Sequence, residues 1–273
     1  MARVRAGAAS DIGRVRRRNE DSALVADGVF AVADGMGGHA AGDIASDLAV
    51  RALRRLADRP DRTPQDVHEE IARANGDILA SAVEHPVRTG MGTTLTGISL
   101  VLDGGAERWA VFNVGDSRVY RFAGGVLTQL TVDHTAPESV TRRRGVITRA
   151  LGTRPAPDAD LWVLPPVPGE RFVICSDGLS LELTDEEIAA VLRGEPAAQA
   201  AAELLVRRAV LAGGRDNVTA VVVDHLTTAG TDTGSFTRGA HAAPEDEDTD
   251  PGIVDHRGYQ GVDTDPLGIP TGP

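Results

Sequence analysis

Apolar residues are spaced along this chain in two rhythms. Val29–Ala33 is a short unbroken run, suited to a buried strand, and it leads into Asp34 and a glycine-rich turn. From Ala41 to Ala57 the spacing is helical, with Ile44, Leu48, Leu53 and Leu56 available to one face. A second helix opens at Thr63, whose hydroxyl can cap it. Pro64 takes the first helical position, Asp66 lies in the first turn, and the pattern runs to about Glu84. Strand-like runs follow at Thr93–Leu102, Arg108–Val114, Val119–Phe122 and Val126–Leu130. Gly104-Gly105 and Gly124-Gly125 sit between pairs of them, as hairpin turns do. Further strands are expected at Leu161–Leu164 and Arg171–Ser176. Thr184-Asp-Glu-Glu187 carries a capping-box signature, a helix covers roughly Ala197–Leu211, and Val218–Asp224 closes the series as a strand. Hairpin strands flanked by consecutive helices predict an α+β fold layered around antiparallel sheets.

The rhythm stops near Leu226. Beyond it stand Thr, Gly, Asp and Pro, with nine acidic residues against two basic ones and the run Glu245-Asp-Glu-Asp248. Such a segment buries too little apolar surface to offset its ordering entropy, so residues 227–273 are expected to be a disordered acidic tail and residues 1–226 one domain. The tail carries seven of the 12 net negative charges. The overall sign argues against duplex nucleic acid as a partner. A single cysteine, Cys175, excludes an internal disulfide framework and fits a reducing compartment. Its place in an apolar strand suits packing better than nucleophilic chemistry. No run approaches the ~20 apolar residues of a membrane span, and the basic N-terminal stretch lacks the apolar centre of a signal peptide. The expectation is a cytoplasmic protein.

Three aspartates share one grammar: an apolar strand, then Asp near Gly or Asn. They are Asp34 in AVADG, Asp116 in FNVGDS and Asp177 in VICSDG, while Asp216 in GRDNV precedes its strand. Any one of them alone reads more readily as the start of a turn. Brought together at strand ends they would repel one another and require a counter-charge. Mg²⁺ or Mn²⁺, which prefer octahedral oxygen ligation, supply one.

Six segments, in order, carry a resemblance: Ser10–Ser22 (SDIGRVRRRNEDS), Ala33–Gly42 (ADGMGGHAAG), Gly90–Thr94 (GMGTT), Asn113–Arg118 (NVGDSR), Ser176–Leu179 (SDGL) and Arg215–Thr219 (RDNVT). They resemble the motifs of the protein phosphatase 2C family in its bacterial form. The resemblance spans about Val4 to Val223. It implies two antiparallel sheets packed as a sandwich with helix pairs outside, and hydrolysis of phosphoserine and phosphothreonine by water activated on two Mn²⁺ or Mg²⁺ ions, with a weaker third. Carried across by residue, Asp34 bridges two metals, the Gly35 carbonyl holds the first, and Asp177 and Asp216 complete the second. Asp116 joins Asp177 at the third site, and Glu20, Asp21 and Asn217 support the ligands from behind. Arg16 grips the substrate phosphate, on the expectation that strand alternation turns it, and not Arg17, toward the site. The implied partners are phosphoproteins, targets of a serine/threonine kinase.

The chain departs from the family at two places. Met36 stands where some relatives carry a histidine proposed as general acid, and nearby His39 suits a structural role. The stretch Val132–Gly145 is short against the family's flap, and its Arg142-Arg-Arg144 reads as a solvated turn or as a docking edge. Other readings exist. Gly35–Ala40 fits a dinucleotide-binding fingerprint, but a helix begins at Thr63 where a second parallel strand is needed. A non-catalytic, metal- or phosphopeptide-binding relative is a second, and a regulatory acidic tail a third.

Overall fold

Strands whose every residue is apolar need cover on both faces, and the architecture provides it. A computed structural model describes residues 3–37, 41–137 and 146–226. One sheet is built from Arg3–Asp11 (β1), Arg118–Ala123 (β7), Val126–Gln129 (β8), Arg171–Cys175 (β10) and Val218–Leu226 (β11), in the order β1-β11-β10-β7-β8. The other contains Asp21–Ala26 (β2), Val29–Met36 (β3), Leu95–Asp103 (β5), Ala106–Val114 (β6) and Asp160–Leu164 (β9), in the order β2-β3-β5-β6-β9. The short Gly92–Thr93 (β4) pairs with β3. All pairings are antiparallel.

Side-chain alternation divides each central strand between two cores. Phe30 and Val32 of β3, Phe172 and Ile174 of β10, and Val221 and Val223 of β11 meet between the sheets. Their neighbours Val29, Ala31 and Ala33 face Gly42–Ala57 (α1) and Pro64–Glu84 (α2). Val173, Cys175, Ala220 and Val222 face Asp185–Gly194 (α4) and Ala198–Ala212 (α5) on the opposite side. Three apolar layers therefore separate four structural ones, the helix–sheet–sheet–helix order that the family resemblance implies. Trp109 anchors the central layer edge-on to Phe172, with ring centroids 5.3 Å apart, and its indole N–H donates to Glu170 at 2.9 Å.

Local signals hold well. Thr63 and Asp66 form a reciprocal capping box on α2, as do Thr184 and Glu187 on α4. Both predicted glycine pairs turn hairpins with positive φ at each residue, a conformation that glycine adopts without strain. Two expectations need correction, and two strands stand where none was expected. The run Thr93–Leu102 is not continuous: it breaks at Thr94, whose main chain and hydroxyl are occupied by Asp34. Strands β1 and β2 give no signal of their own, because both are edge strands with mostly small side chains. Arg16 lies on neither, since the segment after β1 leaves the sheet as turns, so strand alternation cannot aim its side chain. The antiparallel sheets also exclude the dinucleotide reading. His39, Arg142-Arg143-Arg144 and the acidic tail lie outside the described residues.

Candidate active site

Both sheets end at the same rim, and each contributes acids to it. In the β2–β3 pair Asp21 stands directly across from Asp34, so their side chains rise on one face. Asp177 opens a single helical turn, Asp177–Ser180 (α3), just after β10, while Asp216 lies two residues before β11. Asp116 sits in the three-residue crossover from β6 to β7, which carries the chain from one sheet to the other.

Main-chain bonds fix the Asp34 strand. Asp34 N–H donates to the Thr94 hydroxyl, and its carbonyl accepts from the Thr94 amide and the Thr93 hydroxyl, all at 2.9 Å. The amide of Gly35 donates to the Glu20 carbonyl at 3.1 Å. A Cβ on Gly35 would lie 2.2 Å from the Gly42 carbonyl oxygen and 2.6 Å from that of Glu20, so only glycine fits between the start of α1 and the end of the preceding loop. Gly178 is pinned likewise against the Asn217 carbonyl.

Charge is the unusual feature. Burial pushes the Asp34 carboxyl well above the ordinary carboxylate range, and the charges of Asp21, Asp177, Asp216 and Asp116 push it further. Asp177 is raised by burial and by Asp216, with Asp34 and Arg16 opposing the shift. Burial lifts Asp21 to about 6 despite hydrogen bonds from the Thr219 and Ser176 hydroxyls, the latter at 2.7 Å. Asp116 rises to about 7 through burial, Asp177 and Asp133, against the pull of Arg118. Glu20 is raised by burial and by Asp43, a neighbour on α1 that the motifs did not single out.

The donor set suits a hard divalent cation. All five groups offer oxygen, and Asp21 Oδ1 and Asp177 Oδ1 are buried with no hydrogen-bond partner, at the expected cost of such orphans. Among the described residues no group of three or more His, Cys, Asp or Glu side chains is arranged to hold a metal ion as it stands. Asp34 feels the charges of Asp21, Asp177, Asp216 and Asp116, and a cation among them would relieve it.

Arg16 supplies part of the positive charge. Its guanidinium donates to Asp216 Oδ2 at 2.5 Å while the side chain keeps 50% exposure. Although burial opposes it, the bond to Asp216 and the charges of Asp34 and Glu20 hold the guanidinium protonated. The loop carrying it is fastened by Asn217. That amide accepts from Glu20 N–H at 2.9 Å and donates to the carbonyls of Ile12 at 3.0 Å and Arg18 at 2.9 Å. Asn217 thus supports Arg16's loop, not a carboxylate alone. Behind Asp116, Gly115 N–H donates to His134 Nδ1 at 3.1 Å while His134 N–H returns a bond to the Gly115 carbonyl. His134 Nε2 faces Asp160 at 3.0 Å, which assigns the ring proton to that nitrogen. Motif reading gave no role to Thr94 or Ser176, although both stand in the quoted segments, and missed His134, since a hydroxyl or ring that holds a neighbouring group in place has no spacing signature.

The sequence profile of the protein phosphatase 2C family matches residues 15–210. The serine/threonine protein phosphatase PstP of Mycobacterium tuberculosis is 39% identical over 245 residues, 82% of this chain, and the chain spans only 46% of that protein's length. The serine/threonine phosphatase stp of Listeria monocytogenes is 32% identical over 82% of this chain and 97% of its own length. The crystal structure of the M. tuberculosis phosphatase superposes with a TM-score of 0.75 at 37% identity, covering 82% of this chain and 99% of that one. The PstP catalytic domain in complex with two manganese ions gives 0.74 at the same identity and coverage. With its motifs in order, its two-sheet frame and its gathered carboxylates, the chain belongs to the protein phosphatase 2C family.

Proposed function

We propose that this protein is a metal-dependent phosphatase that hydrolyses phosphoserine and phosphothreonine in proteins. The observation that carries the reading is the convergence of Asp34, Asp177 and Asp216, from three distant segments, on one charge-starved rim beside a half-exposed arginine. Asp34, the Gly35 carbonyl, Asp177 and Asp216 would hold two cations, Mn²⁺ or Mg²⁺, with Asp116 beside Asp177 for a weaker third. Such a pair, when bound, lowers the pKa of a shared water and offsets the charge of an in-line displacement. Glu20 and Asp21 add negative charge behind the ligands. The manganese in the related PstP domain supports the choice of a divalent cation.

Arg16 has five N–H donors and gives one to Asp216. The remaining donors form a fork for phosphate oxygens, held by a charge that does not titrate near neutrality. Asp216 fixes that fork at the rim, so that a phosphomonoester would be oriented before reaction. Among the described residues no helix is long and apolar enough to cross a membrane. A cytoplasmic setting, with targets of a serine/threonine kinase as substrates, fits the bacterial relatives. The test is hydrolysis of a phosphothreonine peptide with and without Mn²⁺, by wild type and Asp34→Asn. Turnover should need the metal and fall by at least about a hundredfold in the variant, a loss of ~3 kcal/mol in transition-state stabilisation. Activity that survives both EDTA and the substitution overturns the mechanism.

A further inference from the structure

The loop from Ile12 to Arg18 contains Arg14, Arg16, Arg17 and Arg18 and no acid, in a chain of net charge −12. Two of these four have work within the protein: Arg16 bonds Asp216, and Arg18 pulls the Glu20 carboxyl down against its burial. Arg14 and Arg17 are exposed, and among the described residues neither side chain makes an ion pair or a hydrogen bond. Flexibility would let like charges drift apart, but the loop is fastened on several sides. Arg14 N–H donates to the Gly214 carbonyl at 2.7 Å, the Ile12 and Arg18 carbonyls accept from Asn217, and Gly13 N–H donates to Asp11. The fold therefore holds unneutralised guanidiniums on both sides of the residue assigned to the phosphate.

From this we infer that Arg14 and Arg17 are specificity residues that select phosphorylated segments with acidic side chains close to the phosphoresidue. The inference rests on the phosphatase reading and adds the substrate class. Its geometry is one of reach. Arg14 and Arg17 lie two and one residues from Arg16, at most about 7 Å along the backbone, and an extended peptide advances about 3.3 Å per residue. Acids within about two positions of the phosphoresidue meet these guanidiniums, and lysines there are repelled. The exposed Val15 between them, at 66%, offers an apolar contact to the same segment.

The experiment compares kcat/KM for phosphothreonine peptides with Glu or Lys at the flanking positions, and for p-nitrophenyl phosphate, which has no flanks. Wild type should prefer the Glu peptide about fivefold to tenfold, the scale of two exposed charge pairs, and the preference should fade at about 1 M salt. Arg14→Glu combined with Arg17→Glu should abolish or invert it and leave p-nitrophenyl phosphate turnover within about twofold. Equal use of both peptides by wild type, or a preference that survives the double substitution, overturns the assignment. So does an equal fall for peptides and p-nitrophenyl phosphate, which would place these arginines in the chemistry or the fold. Absence of all turnover by wild type would instead refute the phosphatase reading. Docking would still be decided by fluorescence anisotropy of the same peptides, where a missing Glu preference sinks it.

Discussion

Removing the Asn217 side chain should separate positioning from chemistry. The amide makes three hydrogen bonds, one to the Glu20 main chain and two to the loop that carries Arg16, from a residue only 5% exposed. Each is worth about 1 kcal/mol net. All three bonds are part-buried, so water replaces the lost amide only in part. The expected cost of Asn217→Ala is therefore about 2 kcal/mol, or a fall in Tm of about 4–8 °C for a domain of this size. Because the backbone stays, the Asn217 N–H can still donate to Asp216 Oδ1, now at 2.8 Å. Activity should fall through the Arg16 loop: KM for a phosphopeptide rises and kcat/KM drops about tenfold. The assay is a double-mutant cycle with Arg16→Ala on both kcat/KM and thermal unfolding. If Asn217 acts through Arg16, its effect on kcat/KM largely vanishes in the Arg16→Ala background while its effect on Tm persists. A full tenfold loss in that background would refute the reasoning and place Asn217 with the carboxylates.

Other perturbations test the frame and the charge. Gly35→Ala drives a methyl into two backbone carbonyls, so the variant should lose several kcal/mol or fail to accumulate folded, as circular dichroism and yield will show. His134→Ala removes the acceptor of the Gly115 N–H from a site 7% exposed, and calorimetry should show a loss of about 2 kcal/mol; an unchanged Tm would mean the clamp is idle. The metal-free protein should lose stability as pH rises from about 4 to 8. Folded carboxyls raised to about 6 at Asp21 and about 7 at Asp116 bind protons more tightly than the unfolded chain does, and that advantage disappears as they ionise. At about 1.4 kcal/mol per pH unit the two together amount to several kcal/mol. Mn²⁺ should raise Tm more at pH 8 than at pH 5, and equal Tm values in EDTA at the two pH values would contradict the charge argument.

The sequence displays what repeats and hides what converges. Helix α2 is legible because Thr63, Pro64 and Asp66 act within one turn, and the hairpins because glycine pairs force positive φ locally. Central strands such as β3 and β10 show as unbroken apolar runs because both faces are covered. Strand β1 fails to show because its partner β11 lies about two hundred residues away and its own side chains are small. The same limit applies to the site. Nothing in the spacing of Asp34, Asp177 and Asp216 says that they meet, and only the order of family motifs anticipated it. Arg16 lies beside Asp216, but the strand argument for its direction fails, since a turn held by Asn217, and not a pleat, carries it.

The acids are divided between the sheets in a way that ties the site to the core. Asp21 and Asp34 belong to the β2–β3 hairpin of one sheet, whereas Asp177 and Asp216 flank β10 and β11 of the other. No strand carries both sets, and Asp116 lies on the crossover between them. The separation of the two pairs is therefore set by how Phe30 and Val32 pack against Phe172, Ile174, Val221 and Val223 in the layer between the sheets. Protein interiors of this kind resist compression, and their gaps do not close freely. Like charges that would spread apart on a flexible loop are kept near one another by apolar packing behind them. That electrostatic cost is the reason a divalent cation would bind, since the free energy released on neutralising the rim is free energy the core has already spent in assembling it.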